Sequence, residues 1–159
     1  MTHVAEIYWV AAGDVPSGQY SRAHAWYFDG GAKVAASASP DIVPVPLSQP
    51  DAVDPEEGFV ASLSSCHMLW FLDFAQRAGY VPESYTDHAV GHMETPSDGV
   101  GLWIARVELT PYTTWVGDGP TIEEERALHE KANQSCFIAK SVKTEIVVTV
   151  SEYAEAVDA

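Results

Sequence analysis

An α+β domain, an antiparallel sheet with helices packed on it, is the fold the sequence predicts. Three observations lead there. Runs of strand-forming residues cluster before residue 40, between residues 87 and 112, and again after residue 143. Two segments carry complete helix-start signals, at Asp54 and at Thr121. The resulting order βββαββαβ lacks the strand–helix–strand alternation that builds parallel sheets.

Each element has its own warrant. The stretch "HVAEIYWVAA" alternates loosely, while "RAHAWYFD" and "KVAASAS" flank Asp29-Gly30-Gly31, a glycine turn between strand-forming runs that signals a hairpin. The first forty residues therefore read as three strands. From Ser39 to Val53, Pro40, Pro44, Pro46 and Pro50 deny the chain both regular helix and a central strand, leaving an ordered or a mobile loop. Asp54 then offers an N-cap acceptor, Pro55 suits the first helical position and Glu57 follows three residues after the cap. Gly79 closes the pattern as a C-cap, giving a helix of about 24 residues. Its middle, Met68 to Leu72, is apolar all round, so its own domain or a partner must cover more than one face. "DHAVGHMET" and "GLWIARVELTPY" read as two more strands separated by the turn "PSDG". Thr121 and Glu124 form a capping box that opens the helix "IEEERALHEKA". "FIAKSV" is a short connection and "KTEIVVTVSEY" a closing strand. No internal repeat or low-complexity tract interrupts this order.

At 159 residues, 47% hydrophobic and 11% aromatic, the chain has one domain's length and enough apolar material for a core. Residues 1–159 are expected to form a single domain. Eight Lys plus Arg against 23 Asp plus Glu leave a formal net charge of -15, which opposes phosphate backbones and anionic membrane surfaces. Neither nucleic acid nor membrane is an expected partner. The first residues show no basic leader before an apolar run, and no stretch approaches the roughly 20 apolar residues that span a bilayer. A cytoplasmic location is the expectation.

Only two cysteines are present, Cys66 in "SSCHMLWFLDF" and Cys136 in "SCFIAKSV". Free cysteine packs well as a small hydrophobe. Two thiols make no disulfide framework, and in a reducing compartment such a pair is catalytic, redox-active or inert. Reactivity belongs to the thiolate, and an unperturbed thiol of pKa about 8.5 is only a few per cent ionised at neutral pH. Cys66 lies about three turns into its helix, beyond the reach of the helix-start dipole. Burial alone would raise its pKa. Cys136, with Ser135 as candidate N-cap of the next short element, is placed where backbone N–H groups favour a thiolate. Local physics thus makes Cys136 the more acidic thiol.

"DPEEGFVASLSSCHMLWFL" in one helix, the second cysteine in "SCFIAKSVKTEIVV" and the preceding strand meander together resemble the OsmC/Ohr family, the osmotically inducible and organic hydroperoxide resistance proteins, over about residues 20 to 150. The resemblance implies an OsmC-like fold, with antiparallel sheets and a long central helix, assembled as an intertwined homodimer. It also implies a cysteine-based peroxidase that reduces organic hydroperoxides in oxidative stress defence. On that pattern Cys66 is the attacking thiol and Cys136 the resolving thiol, passing through sulfenic acid to a disulfide. An external dithiol, lipoyl or similar, then restores the pair. Glu56 matches the family's helix-start glutamate, and Arg22 in "YSRAHAWYFDGG" matches, with an offset of a few residues, the arginine beside the reactive cysteine. Two positions depart from the pattern: Phe137 follows Cys136 where proline is usual, and His67 follows Cys66 where an apolar residue is expected. The rival reading is a non-catalytic dimer of the same fold that binds a small apolar ligand, its cysteines merely packed. A thiol enzyme acting on something other than peroxides is a third.

Geometry constrains these roles. Glu56 and Cys66 lie about 15 Å apart along a straight helix at about 1.5 Å per residue. Either the helix bends near Gly58 or the glutamate comes from a second subunit. His88 and His92 would share a metal on a helix, but a strand separates them by about 13 Å, which makes them surface or interface histidines. His67 projects about 100° round the axis from Cys66, against a direct dyad. Two cysteines and scattered histidines predict no metal site, and no cofactor is expected. Glu123 to Glu125 read as a solvated first turn. Trp9, Trp26, Tyr27, Phe28, Trp70, Phe71, Trp103 and Trp115 are core candidates, some of them walls of an apolar pocket beside Cys66 that would admit a hydrocarbon tail.

Overall fold

Glycine turns and proline breaks organise the first unit of the chain. A computed structural model describes residues 1–150, which divide into two compact units, the first Met1–Gly58 and the second beginning at Phe59. In the first, β1 (Ala5–Trp9), β4 (His24–Phe28) and β5 (Lys33–Ala36) form an antiparallel sheet in the order β1-β4-β5. Gly31, at φ +87, turns β4 into β5 as predicted, a left-handed conformation that glycine adopts without strain. A short hairpin, β2 (Gly13–Asp14) with β3 (Gln19–Tyr20), was not expected from the sequence. Gly13 permits it, because a Cβ there would collide with the Gln19 carbonyl. The proline-rich segment is tied down: Leu47 O accepts from Arg22 N at 2.8 Å, Val53 O from Ser37 N at 3.0 Å, and the buried Ser37 hydroxyl from Gln49 N at 3.0 Å.

The long helix α1 (Pro55–Arg77) starts and stops where its signals lie. Asp54 Oδ1 accepts from Glu57 N at 2.8 Å and Glu57 Oε2 accepts from Asp54 N at 3.0 Å, a reciprocal cap. Gly79, at φ +91, lets Tyr80 N reach back to Ala75 O at 3.0 Å. The helix has no break at Gly58, where the Trp26 ring lies so close that a Cβ would not fit.

In the second unit, β7 (Val90–Glu94), β8 (Trp103–Leu109) and β10 (Glu145–Val148) form a sheet in the order β10-β8-β7, and β6 (Pro82–Asp87) pairs with β9 (Pro111–Trp115). Helix α2 (Ile122–Ser135) opens on the expected Thr121–Glu124 capping box, and a 3-10 turn covers Ala139–Ser141. The architecture is α+β with mainly antiparallel sheets, as the sequence predicts. Three details differ. β6 has a polar sequence led by a proline and gave no strand signal. The single strand expected from Gly101 to Tyr112 is two, β8 and β9, turning at Thr110, whose N–H donates to the Asp87 carboxylate at 2.7 Å. β10 runs parallel to β8, because α2 carries the chain back across the sheet. The predicted end of the last strand, residues 151 to 153, lies outside the described residues.

Helix α1 buries one stripe in this unit: Leu63, His67, Phe71 and Ala75, each four residues apart. Leu63 packs with Val107 and Leu109 of the sheet, and Phe71 and Ala75 pack with Leu128 and Ala132 of α2. Among the described residues α1 is the one helix long and apolar enough, by length and composition, to cross a membrane, which corrects the expectation that no stretch approaches that limit. The aromatic expectations divide: Phe71 is buried and Trp26, Trp70 and Trp115 half-buried, while Trp9, Tyr27, Phe28 and Trp103 are exposed.

Candidate functional site

Both cysteines are free thiols, and the fold brings them together from positions 66 and 136. Cys66 sits midway along α1, half-exposed; Cys136, only 1% exposed, follows the last residue of α2 and caps it, its N–H donating to Ala132 O at 2.9 Å. The two thiols are neighbours, close enough that Cys66 bears on the ionisation of Cys136. Above them lies a cleft of about 390 Å³ lined by Cys66, Leu69, Trp70, Asp73, Arg77 and Phe137. Leu69 and Phe137 are 63% and 66% exposed, and the Trp70 and Phe137 rings meet edge to face at 5.4 Å. An Arg77–Asp73 ion pair at 3.1 Å marks the polar end. The cleft offers a sulfur at its base, apolar walls and one charged rim.

The expected backbone donors are present at Cys136, whose sulfur accepts from Ala139 N at 3.3 Å, with the Ile138 N–H beside it. They do not prevail. Burial, and then the neighbouring Cys66 thiol, push the Cys136 pKa up to about 11, against the lowering by those two N–H groups. The expectation that Cys136 is activated as the more acidic thiol is therefore corrected: Cys136 stays protonated at neutral pH. A thiolate on Cys66 would itself oppose ionisation of Cys136.

His67 turns away from the cleft into the core, 1% exposed, and makes no dyad with Cys66. Its Nε2 instead shares a hydrogen bond of 2.9 Å with Nδ1 of His129, itself 2% exposed, with the two rings parallel to within 2°. Phe71 stacks on His129 at 3.9 Å, and the Glu125 carboxylate stands 4.0 Å from His129 Nε2. Desolvation lowers the pKa of His67 to about 4 and of His129 to about 3, so both rings are neutral. Glu125 belongs to this interior group, half-buried beside His129, and is not part of a solvated face; Glu123 and Glu124 are exposed. His129 escaped notice in the sequence, where nothing linked it to His67.

Arg22 and Glu56 belong to the first unit. The Arg22 guanidinium stacks over the Tyr20 ring at 3.5 Å and donates to the Tyr20 carbonyl and, at 3.3 Å, to the Gly18 carbonyl. It lines a groove of about 560 Å³ with Ile7, Trp9, Val15, Tyr20 and His24. Glu56 is half-buried in the first turn of α1. His92 faces Glu108 at 3.4 Å and His88 is exposed on a corner. Among the described residues no three His, Cys, Asp or Glu side chains gather as a metal site.

Residues 48–151 match the family described as OsmC-like protein. Among solved structures, an OsmC-like protein of unknown function from Vibrio cholerae is 47% identical with a TM-score of 0.92, over 95% of this chain and 99% of that one. An organic hydroperoxide resistance protein from Elizabethkingia anophelis is 24% identical with a TM-score of 0.68, over 96% and 97%. The organic hydroperoxide resistance protein OhrB of Bacillus subtilis is 18% identical with a TM-score of 0.65, over 93% and 98%. These last two share the fold. A search of curated proteins finds no match. With the family pattern covering most of its length, and Cys66 and Cys136 facing each other within it, this chain belongs to the OsmC-like protein family.

Proposed function

We propose that this protein is a two-cysteine peroxidase for organic hydroperoxides that carry an apolar body. One observation carries the reading: two thiols seventy positions apart in sequence are neighbours, and one of them, Cys66, lines a cleft walled by Leu69, Trp70 and Phe137. The Cys66 thiolate attacks the peroxide oxygen, the O–O bond breaks, and the alcohol leaves with a proton while Cys66 becomes a sulfenic acid. The Cys136 sulfur then displaces water from that sulfenic acid to give the Cys66–Cys136 disulfide. An external dithiol of the lipoyl type returns two electrons and two protons.

Burial suits Cys136 to the second step, since a protonated thiol does not compete for peroxide. The family resemblance assigns Arg22 the role of the cation that ionises Cys66 and Glu56 that of its carboxylate partner. Mass analysis under non-reducing conditions tests the cycle. One equivalent of cumene hydroperoxide should convert the reduced protein to the disulfide; Cys66→Ser should be inert, and Cys136→Ser should stop at sulfenic or sulfinic acid. Turnover of peroxide by both variants would refute the reading.

A second reading, a non-catalytic protein that binds a small apolar molecule, is favoured by the groove of about 560 Å³ in the first unit, whose Trp9, Ile7 and Val15 are exposed. An apolar ligand bound with the thiols unreactive toward peroxide would select it.

A further inference from the structure

The cycle above makes no use of two buried histidines that join the cysteine-bearing helices. Cys66 immediately precedes His67 on α1, and Cys136 follows His129 by seven positions, two turns and about 10.5 Å along α2. Among the described residues the His67–His129 bond is the one side-chain hydrogen bond between α1 and α2. The rest of their contact, Phe71 and Ala75 against Leu128 and Ala132, is apolar. Apolar contact is non-directional and tolerates a slide or a rotation of one helix on the other. A donor and an acceptor 2.9 Å apart in parallel rings do not. We propose that the His67–His129 hydrogen bond is a register pin that holds Cys66 opposite Cys136, making both histidines positioning residues for disulfide formation.

Three features support it. Disulfide geometry is narrow, with Cβ atoms about 3.5–4.5 Å apart, so a small change in helix register separates the thiols from bonding distance. The pin is itself fixed, because Phe71 stacks on His129 at 3.9 Å, its ring parallel to within 7°. Stability gives no reason for the pair: His67 Nδ1 and His129 Nε2 are buried without a hydrogen-bond partner, a cost two leucines would avoid. Buried polar pairs kept at such a cost are best attested where they fix a register.

The inference rests on the two-thiol reading, so its test reads the disulfide without peroxide. Reduced protein is equilibrated with mixtures of oxidised and reduced dithiothreitol, quenched by alkylation and weighed. Two protein thiols then lose two electrons and two protons to the cyclic disulfide, which opens to the dithiol as the Cys66–Cys136 bond closes. The double variant His67→Leu with His129→Leu should melt at or above the wild-type temperature, yet its disulfide equilibrium constant should fall at least tenfold. The double variant His67→Gln with His129→Asn places amide donor and acceptor where the ring nitrogens were, and should return the constant to within about threefold of wild type. A folded leucine variant with the wild-type constant overturns the pin. If the leucine variant does not fold, the Gln and Asn pair decides: a wild-type constant supports the pin and a tenfold loss overturns it. Failure of the wild-type protein itself to form the disulfide would instead strike the two-thiol cycle.

Discussion

Burial fixes the charge state of His67 and His129, and with it a pH dependence. Their pKa values lie at about 4 and about 3 in the folded chain, against about 6.5 unfolded. Between those limits the unfolded chain takes up protons that the folded one refuses. Stability is therefore fully present above about pH 6.5 and falls as the pH drops toward 4, by up to about 1.4 kcal/mol per histidine per pH unit. Glu125 on α2 and Asp87 at the end of β6 act in the opposite sense, since burial raises both carboxyls, and Tyr85 of β6 stays neutral throughout. Urea midpoints at pH 7, 5.5 and 4.5 should fall steadily in wild type and markedly less in the double leucine variant; equal pH slopes would show that the histidines do not titrate on unfolding. The sequence showed His67 only as a departure from an apolar pattern. Its partner is 62 residues away, and no local signal reports such a contact. Cys136 teaches the same lesson, since its neighbouring N–H donors were legible locally while the burial that outweighs them is a tertiary fact.

Element boundaries were legible wherever capping chemistry set them. Asp54, Glu57 and Gly79 frame α1, and Thr121 with Glu124 starts α2, because these interactions span only three or four residues. Strand partners were less legible: β6 is polar, and the turn from β8 into β9 depends on Asp87, which accepts from Thr110 N and, at 2.5 Å, from the Ser64 hydroxyl of α1. Gly91 in β7 is another such tertiary dependence. A Cβ there would stand 2.7 Å from a methyl of Val60 on α1, so the glycine sets how closely the helix lies on the sheet. Gly91→Ala should cost about 1–3 kcal/mol through overpacking, and Gly91→Ala with Val60→Ala should recover part of that loss. Denaturant unfolding of the two variants measures it, and additive losses would show that the pair is not in contact. Gly79 makes a contrasting case. A Cβ there meets nothing within 4 Å, but φ is +91, so Gly79→Ala should lose about 1–2 kcal/mol from backbone strain alone.

At the scale of the whole molecule, apolar surface remains that one chain leaves uncovered. In the second unit Leu69 and Phe137 stand open around Cys66, on a helix whose buried stripe accounts for only Leu63, His67, Phe71 and Ala75. In the first, every residue of β1 is exposed, including Ile7, Tyr8 and Trp9. Exposed apolar patches of this kind mark interaction surfaces. The apolar belt from Met68 to Leu72 carried the same message in the sequence, since one small domain seldom covers every face of a helix. We infer a homodimer in which the long helices pack together and the glutamate that completes a site at Cys66 comes from the second subunit. The helix runs without a break at Gly58, and ten residues of it span about 15 Å. Mixing decides the matter. Glu56→Ala protein and Cys66→Ser protein, each expected to be inactive alone, are unfolded together and refolded. A heterodimer would then hold one site with both groups intact, and close to half of the material should form it, so about a quarter of wild-type peroxidase activity should return. Sedimentation as a monomer at micromolar concentration would refute the dimer. Heterodimers that form yet stay inactive would refute the sharing and leave Glu56 and Cys66 to be served within one chain.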